Sequence, residues 1–188
     1  MADHTRDSSS HRPLMNLILW RHAEAEDLPA AMSLSRNADL QRVLTPRGHK
    51  QAQASAKWLR HHLPSPYRVV CSPAVRARET AAALCSDAEV LPELGLGASV
   101  SEVLAAVGWP GPDEAVARVD GADRGHRGDR TVVVVGHQPW LGRVASRVLA
   151  GREMPWSVRK SGVWWFTARA RDTEGQVALR AVVHPDFL

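Results

Sequence analysis

Apolar runs punctuate the chain at regular intervals, and they are of two kinds. Residues 15–20 (MNLILW) and 131–136 (TVVVVG) are almost continuously apolar, as expected of central strands covered on both faces. Shorter or mixed runs at 68–71 (RVVC), 88–91 (AEVL), 162–168 (GVWWFTA) and 177–183 (VALRAVV) read as further strands. The segments between them carry helix punctuation. "TPRGHKQAQASAKWLRHH" offers Thr45 as an N-cap and Pro46 at the first helical position. "SPAVRARETAAAL" repeats that arrangement with Ser72 and Pro73. "SVSE" at 99–102 fits a capping box, and "QPWLGRVASRVLAG" runs to Gly151, a natural helix stop.

Strands alternating with helices predict an α/β fold. The expected architecture is a three-layer sandwich, with a mostly parallel central sheet of about six strands flanked by helices. The connection "RARDTEGQ" is too short for a crossover helix, so the last two strands are expected as a C-terminal antiparallel hairpin. No repeat, domain linker or low-complexity segment divides the chain. Its 188 residues suit one domain, residues 14–188, preceded by a flexible polar tail over 1–13 (MADHTRDSSSHRP). Met15, at the start of the first strand, is a candidate alternative start.

Composition narrows the function classes only modestly. Hydrophobic content of 44% and charged content of 23% are ordinary for a globular protein. Lysine occurs only at Lys50, Lys57 and Lys160, so arginine supplies most of the 24 positive charges. Guanidinium forks suit phosphate oxygens, although genomic base composition alone also enriches arginine. Basic residues are interleaved with acids rather than clustered, which argues against nucleic acid as a partner. Cys71 and Cys85 give neither a disulfide framework nor metal-ligand spacing, and are expected as buried free thiols in a reducing compartment. The N-terminus lacks the apolar core of a signal peptide, and no stretch is long enough to span a membrane. The expected setting is cytoplasmic.

The candidate chemistry gathers at strand ends. In open α/β sheets, ligands sit beyond the carboxyl ends of the strands. The first strand ends in Arg21-His22, and the fourth in Gly136-His137. The second feeds Ser72-Pro73 and a helix with Arg76 in its first turn. Each feature alone is commonplace. Together they bring two arginines, two histidines and helix N-termini to one edge, a combination suited to a phosphate. No convincing metal site appears in the sequence, and no cofactor is expected.

"LILWRHAEAE", "LTPRGHKQA", "CSPAVRARETA" and "VVVVGHQPWLG" resemble, in order and spacing, the four successive motifs of the histidine phosphatase superfamily. The chain is most similar to its small, SixA-like phosphohistidine phosphatase group. The resemblance runs from Met15 to the C-terminus and makes 14–188 a single histidine-phosphatase-like domain. It implies that His22 is the nucleophile, that Arg21 and Arg76 bind phosphoryl oxygens, and that His137 completes the phosphate pocket. Ala23 replaces the glycine that many members carry after the histidine, a form at home in the SixA-like group. Larger members place a proton-donating acid after the third strand. Glu93 occupies the corresponding region here, with a solvated loop carboxylate as the competing reading.

The resemblance implies hydrolysis of phosphohistidine on a protein, through a phosphohistidine intermediate on His22. Only about 39 residues separate the third and fourth strands, whereas larger relatives insert a lid there that encloses a small metabolite. An open pocket suits a side chain on another protein. A phosphatase for a sugar phosphate or nucleotide is the alternative, followed by an inactive phosphoprotein-binding module. Glu24, Glu26 and Asp27 read as a solvated loop and His61-His62 as a helix end. Thr45 and Gly48 shape a helix start, Trp164-Trp165 reads as packing, and Trp140 is a candidate for the pocket rim.

Overall fold

The structure, a computed structural model, describes residues 14–29, 35–109, 130–169 and 177–188. The expected 1–13 tail lies outside them. One sheet contains β1 (Leu14–Arg21), β2 (Arg68–Cys71), β3 (Glu89–Val90), β4 (Arg130–Gly136), β5 (Val163–Arg169) and β6 (Val177–Val183). Its strand order is β3-β2-β4-β1-β5-β6. The first four strands run parallel, β5 is antiparallel to β1, and β6 is antiparallel to β5. The sheet is therefore mostly parallel with a C-terminal antiparallel pair, as the alternation of elements predicts. The connection 170–176 lies outside the described residues.

The helices are α1 (Arg36–Leu40), α2 (Pro46–His62), α3 (Val75–Ala82), α4 (Val100–Val107) and α5 (Trp140–Ala150). Successive residues of β1 point to opposite faces of the sheet. Ile18 and Trp20 join Ala52, Ala56 and Leu59 of α2 and Ala77 and Ala81 of α3. Leu17 and Leu19 join Val103 of α4 and Leu141, Val144 and Ala145 of α5. Two apolar layers on one sheet explain why β1 and β4 carry almost no polar residues.

Helix ends largely follow the sequence signals. The Thr45 hydroxyl accepts from Gly48 N at 2.9 Å, and Ser99 with Glu102 forms a complete capping box. Gly151 closes α5 with a left-handed φ of 71°. The Ser72-Pro73 helix start is corrected: α3 begins at Val75, and Ala74 occupies the cap position without a side-chain bond. The Ser72 hydroxyl instead accepts from Ala74 N at 3.3 Å and lies within hydrogen-bond distance of the His137 ring. Helix α1 carries no buried residue, so no apolar stripe announced it in the sequence.

Register positions the site. Arg21 pairs with Gly136 and Cys71 with Val135, so β1, β2 and β4 finish level. The residues that follow emerge together at the carboxyl edge.

Candidate active site

His22 and Ser72 extend the sheet's hydrogen bonding past the strands: His22 N donates to Gly136 O and Ser72 N to Val135 O, both at 3.0 Å. From the other side, Arg21 N donates to Gly162 O and Ser161 N to His22 O, each at 3.1 Å. Ser161 has a positive φ of 54°, unusual for a residue with a side chain. Buried hydroxyls hold it there. Ser55 Oγ donates to Ser161 O at 2.8 Å, and Ser161 Oγ donates to Gln51 O at 3.1 Å. The Arg21-His22 backbone is thus clamped between β4 and the 161–162 turn.

The His22 ring is oriented as firmly as its backbone. Nδ1 lies 2.7 Å from Ala23 O, and a carbonyl only accepts, so Nδ1 carries the ring proton. Nε2 therefore presents a lone pair, which accepts from Arg76 Nε at 3.3 Å. Ala23 N donates to Thr80 Oγ1 at 3.0 Å, and the Thr80 hydroxyl donates to Arg76 O at 2.7 Å. Thr80 thereby ties the peptide that orients His22 to the helix that carries Arg76.

His22 and His137 are 7% and 2% exposed, with ring centroids 5.1 Å apart. Burial first, then the His137 ring, Arg76 and Arg21, push the His22 pKa down to about 2 against a weaker upward pull from Ala23 O. Burial, Arg76 and Arg21 push His137 down to about 3, although Asp39 pulls the other way. Both rings are neutral at neutral pH. Arg21 anchors through Nη1 to Val158 O at 2.8 Å. Arg21 Nε and His137 Nδ1 are buried side-chain nitrogens without a hydrogen-bond partner among the described residues. Orphaned buried polar groups are costly, and here both belong to the cluster the sequence marked out.

Arg21, His22, Arg76 and His137 therefore meet at one edge. Sequence reasoning missed three of their partners. Ser72 Oγ lies 2.7 Å from His137 Nε2. Thr80 stands four residues after Arg76, on the same helix face, a spacing that offered a usable signal. Asp39 pairs with Arg76 at 3.0 Å from a stretch, "RNADLQRV", without hydrophobic periodicity.

Glu93 lies exposed on a 3-10 turn (Pro92–Leu94), with no hydrogen bond or ion pair among the described residues. Trp140 is corrected: it is 2% exposed, packs against Gly136 and donates to Gly95 O at 3.0 Å, so it is a buried strut rather than a rim. Thr45 and Gly48 shape the start of α2, where a Cβ on Gly48 would lie 1.9 Å from Glu24 O. Glu24 is not simply solvated, since it accepts from the Thr45 hydroxyl at 3.0 Å and faces Arg47 at 3.8 Å. Cys71 is buried, whereas Cys85 is only partly so and donates to Asp87. Among the described residues, no group of three or more His, Cys, Asp or Glu side chains is placed to hold a metal ion, and no helix is long and apolar enough to cross a membrane.

A sequence profile of the histidine phosphatase superfamily (branch 1) matches residues 17–96. A solved structure from Nakamurella multipartitia, assigned as the phosphohistidine phosphatase SixA, is 30% identical with a TM-score of 0.63. That match covers 92% of this chain and 96% of the other. The protein histidine phosphatase SixA complexed with tungstate is 25% identical with a TM-score of 0.65, covering 92% and 99% of the two chains. A phosphohistidine phosphatase SixA homolog of Haemophilus influenzae is 41% identical over 71 residues, 35% of this chain and 39% of that protein. An uncharacterized Mycobacterium tuberculosis protein is 36% identical over 111 residues, 57% of this chain. The matched region spans 60% of that mycobacterial protein's length.

Proposed function

The chain belongs to the histidine phosphatase superfamily, and from that premise we propose that it hydrolyses phosphohistidine on a protein through a phosphoryl-enzyme intermediate on His22. The His22 ring carries this reading: its proton is pinned at Nδ1 on Ala23 O, and its Nε2 lone pair faces the Arg76 guanidinium. Such a nitrogen is a nucleophile with an anion-binding group already beside it. Its low pKa keeps the lone pair free throughout the neutral range.

Nε2 attacks the phosphorus and forms an N–P bond as the substrate's own P–N bond breaks. The departing imidazole leaves with the proton it carries or takes one from solvent. Water then attacks the phosphorus, the bond to Nε2 breaks, and inorganic phosphate departs. Both steps need in-line positioning and charge stabilisation more than covalent assistance. Arg76 and the unpartnered Arg21 Nε supply donors to the phosphoryl oxygens. With the Ser72 hydroxyl donating to Nε2 of His137, the Nδ1 proton of that ring is a further donor. The whole-length similarity to SixA structures supports phosphohistidine over other phosphoryl groups.

A substrate panel tests the reading. His22→Ala abolishes turnover, and acid-labile phosphate is trapped on the wild type only. Retained turnover in the variant ends the covalent mechanism. Glu93 separates substrate classes, because alkoxide leaving groups benefit about 10²–10⁴-fold from a general acid and imidazole far less. Glu93→Gln is expected to slow phosphohistidine hydrolysis less than about tenfold, and alkyl phosphate hydrolysis much more. Robust ester turnover that collapses in Glu93→Gln, with none on phosphohistidine, would identify a small-molecule phosphatase. Binding without turnover on any substrate would identify a binding module.

A further inference from the structure

Arg76 is nearly buried, its side chain 4% exposed, and its guanidinium is engaged by the protein's own groups. Nη2 donates to Asp39 Oδ2 at 3.0 Å, Nη1 to Asp39 O, and Nε to His22 Nε2. A phosphoryl group on His22 therefore meets a guanidinium whose other edge is held by a carboxylate. Two anions on one arginine repel each other, most strongly where water is scarce.

Asp39 is mounted so that it can yield. It sits on α1, a five-residue helix with no buried residue, and its side chain is 27% exposed. Its second oxygen, Oδ1, accepts from Arg42 Nη1 at 3.1 Å. Arg42 is itself tied to Glu26 O and to Asp27. A carboxylate leaving Arg76 thus remains paired. Conversely, Arg76 without any anion would be a buried, uncompensated charge.

Building on the phosphatase reading above, we propose that Asp39 is the resting counter-ion of Arg76, exchanged for the phosphoryl group on binding and restored as phosphate leaves. The exchange lowers the affinity of the site for free phosphate. It also favours substrates that contribute contacts beyond the phosphoryl group, as a protein does, because remote binding energy offsets the displacement. Small esters lack those contacts.

Asp39→Asn keeps the shape and the acceptor oxygen while removing the charge. Calorimetric titration with inorganic phosphate is expected to show binding about tenfold tighter in this variant than in wild type. In turnover assays, phosphate inhibition strengthens by the same factor, and small esters gain kcat/KM relative to phosphohistidine protein. Asp39→Ala is expected to melt at lower temperature without phosphate, and to gain more melting temperature from added phosphate than wild type does. Unchanged or weaker phosphate binding in Asp39→Asn overturns the inference, since Asp39 would then be orienting Arg76 for the ligand. Titration is independent of turnover. Tighter binding in a protein that leaves phosphohistidine intact would retire the substrate reading and keep the counter-ion.

Discussion

At the residue scale, the proposed chemistry rests on which nitrogen of His22 holds the proton, and that choice is made two residues removed from the ring. The Ala23 carbonyl fixes the tautomer, and Thr80 fixes the Ala23 peptide. Thr80→Val keeps the β-branched shape and deletes both hydrogen bonds. The buried Ala23 N–H is then left unpaired, costing about 1–3 kcal/mol of stability. The ring gains freedom, and kcat on phosphohistidine protein is expected to fall about tenfold or more with KM little changed, because alignment rather than binding is lost. Thr80→Ser restores the bonds and most of kcat. Wild-type kcat in Thr80→Val would remove Thr80 from the positioning chain. Residues at strand ends, Arg21, His22 and His137, were legible because continuous apolar runs announce where a strand stops. Asp39 was not legible, since the tertiary approach of a short exposed helix leaves no local pattern.

At the element scale, two near-continuous apolar runs marked β1 and β4 as central strands, and Thr45, Ser99 and Gly151 marked helix ends by the backbone groups they satisfy. The two-residue β3 and the Ser72 turn were harder to read. Ser72 meets a distant histidine as well as the N–H of Ala74 at the start of its own helix. The same distant logic governs Gly136. A Cβ there would lie 2.0 Å from Cζ2 of Trp140, whose Nε1 reaches across to Gly95 O. Gly136→Ala forces the indole away, loosening α5 from the turn that bears Glu93 and disturbing His137 next door. Overpacking of this kind costs about 1–3 kcal/mol, and activity is expected to drop further than stability. Combining it with Trp140→Leu, which vacates the space, should destabilise by less than the sum of the two changes. Strict additivity in denaturant titrations would show that the two residues do not compete for one volume.

At the scale of the whole molecule, the design of the candidate site has a consequence for folding that composition did not disclose, because burial of a histidine is a product of assembly. His22 titrates near 2 and His137 near 3 in the folded protein, against an ordinary 6.5. As pH falls through 6.5, the unfolded chain takes up protons at both positions and the folded chain does not. The unfolded state binds more protons, so stability is present above 6.5 and is lost on acidification down to about 3. Well inside that window each histidine contributes a slope of up to about 1.4 kcal/mol per pH unit. Asp39, whose carboxyl titrates below its ordinary value of 3.8 because Arg42 and Arg76 outweigh burial, adds a loss in the same direction only at lower pH. Urea titrations between pH 7 and 4.5 are expected to show falling stability, with a shallower fall in His22→Ala and in His137→Ala. Acid inactivation of the wild type should track the loss of folded structure by circular dichroism. His22, the proposed nucleophile, stays unprotonated as long as the protein stays folded. A stability that is flat over that range, or activity that disappears near pH 6.5 while the fold persists, would mean that His22 is charged in the native state and that its burial does not hold Nε2 free.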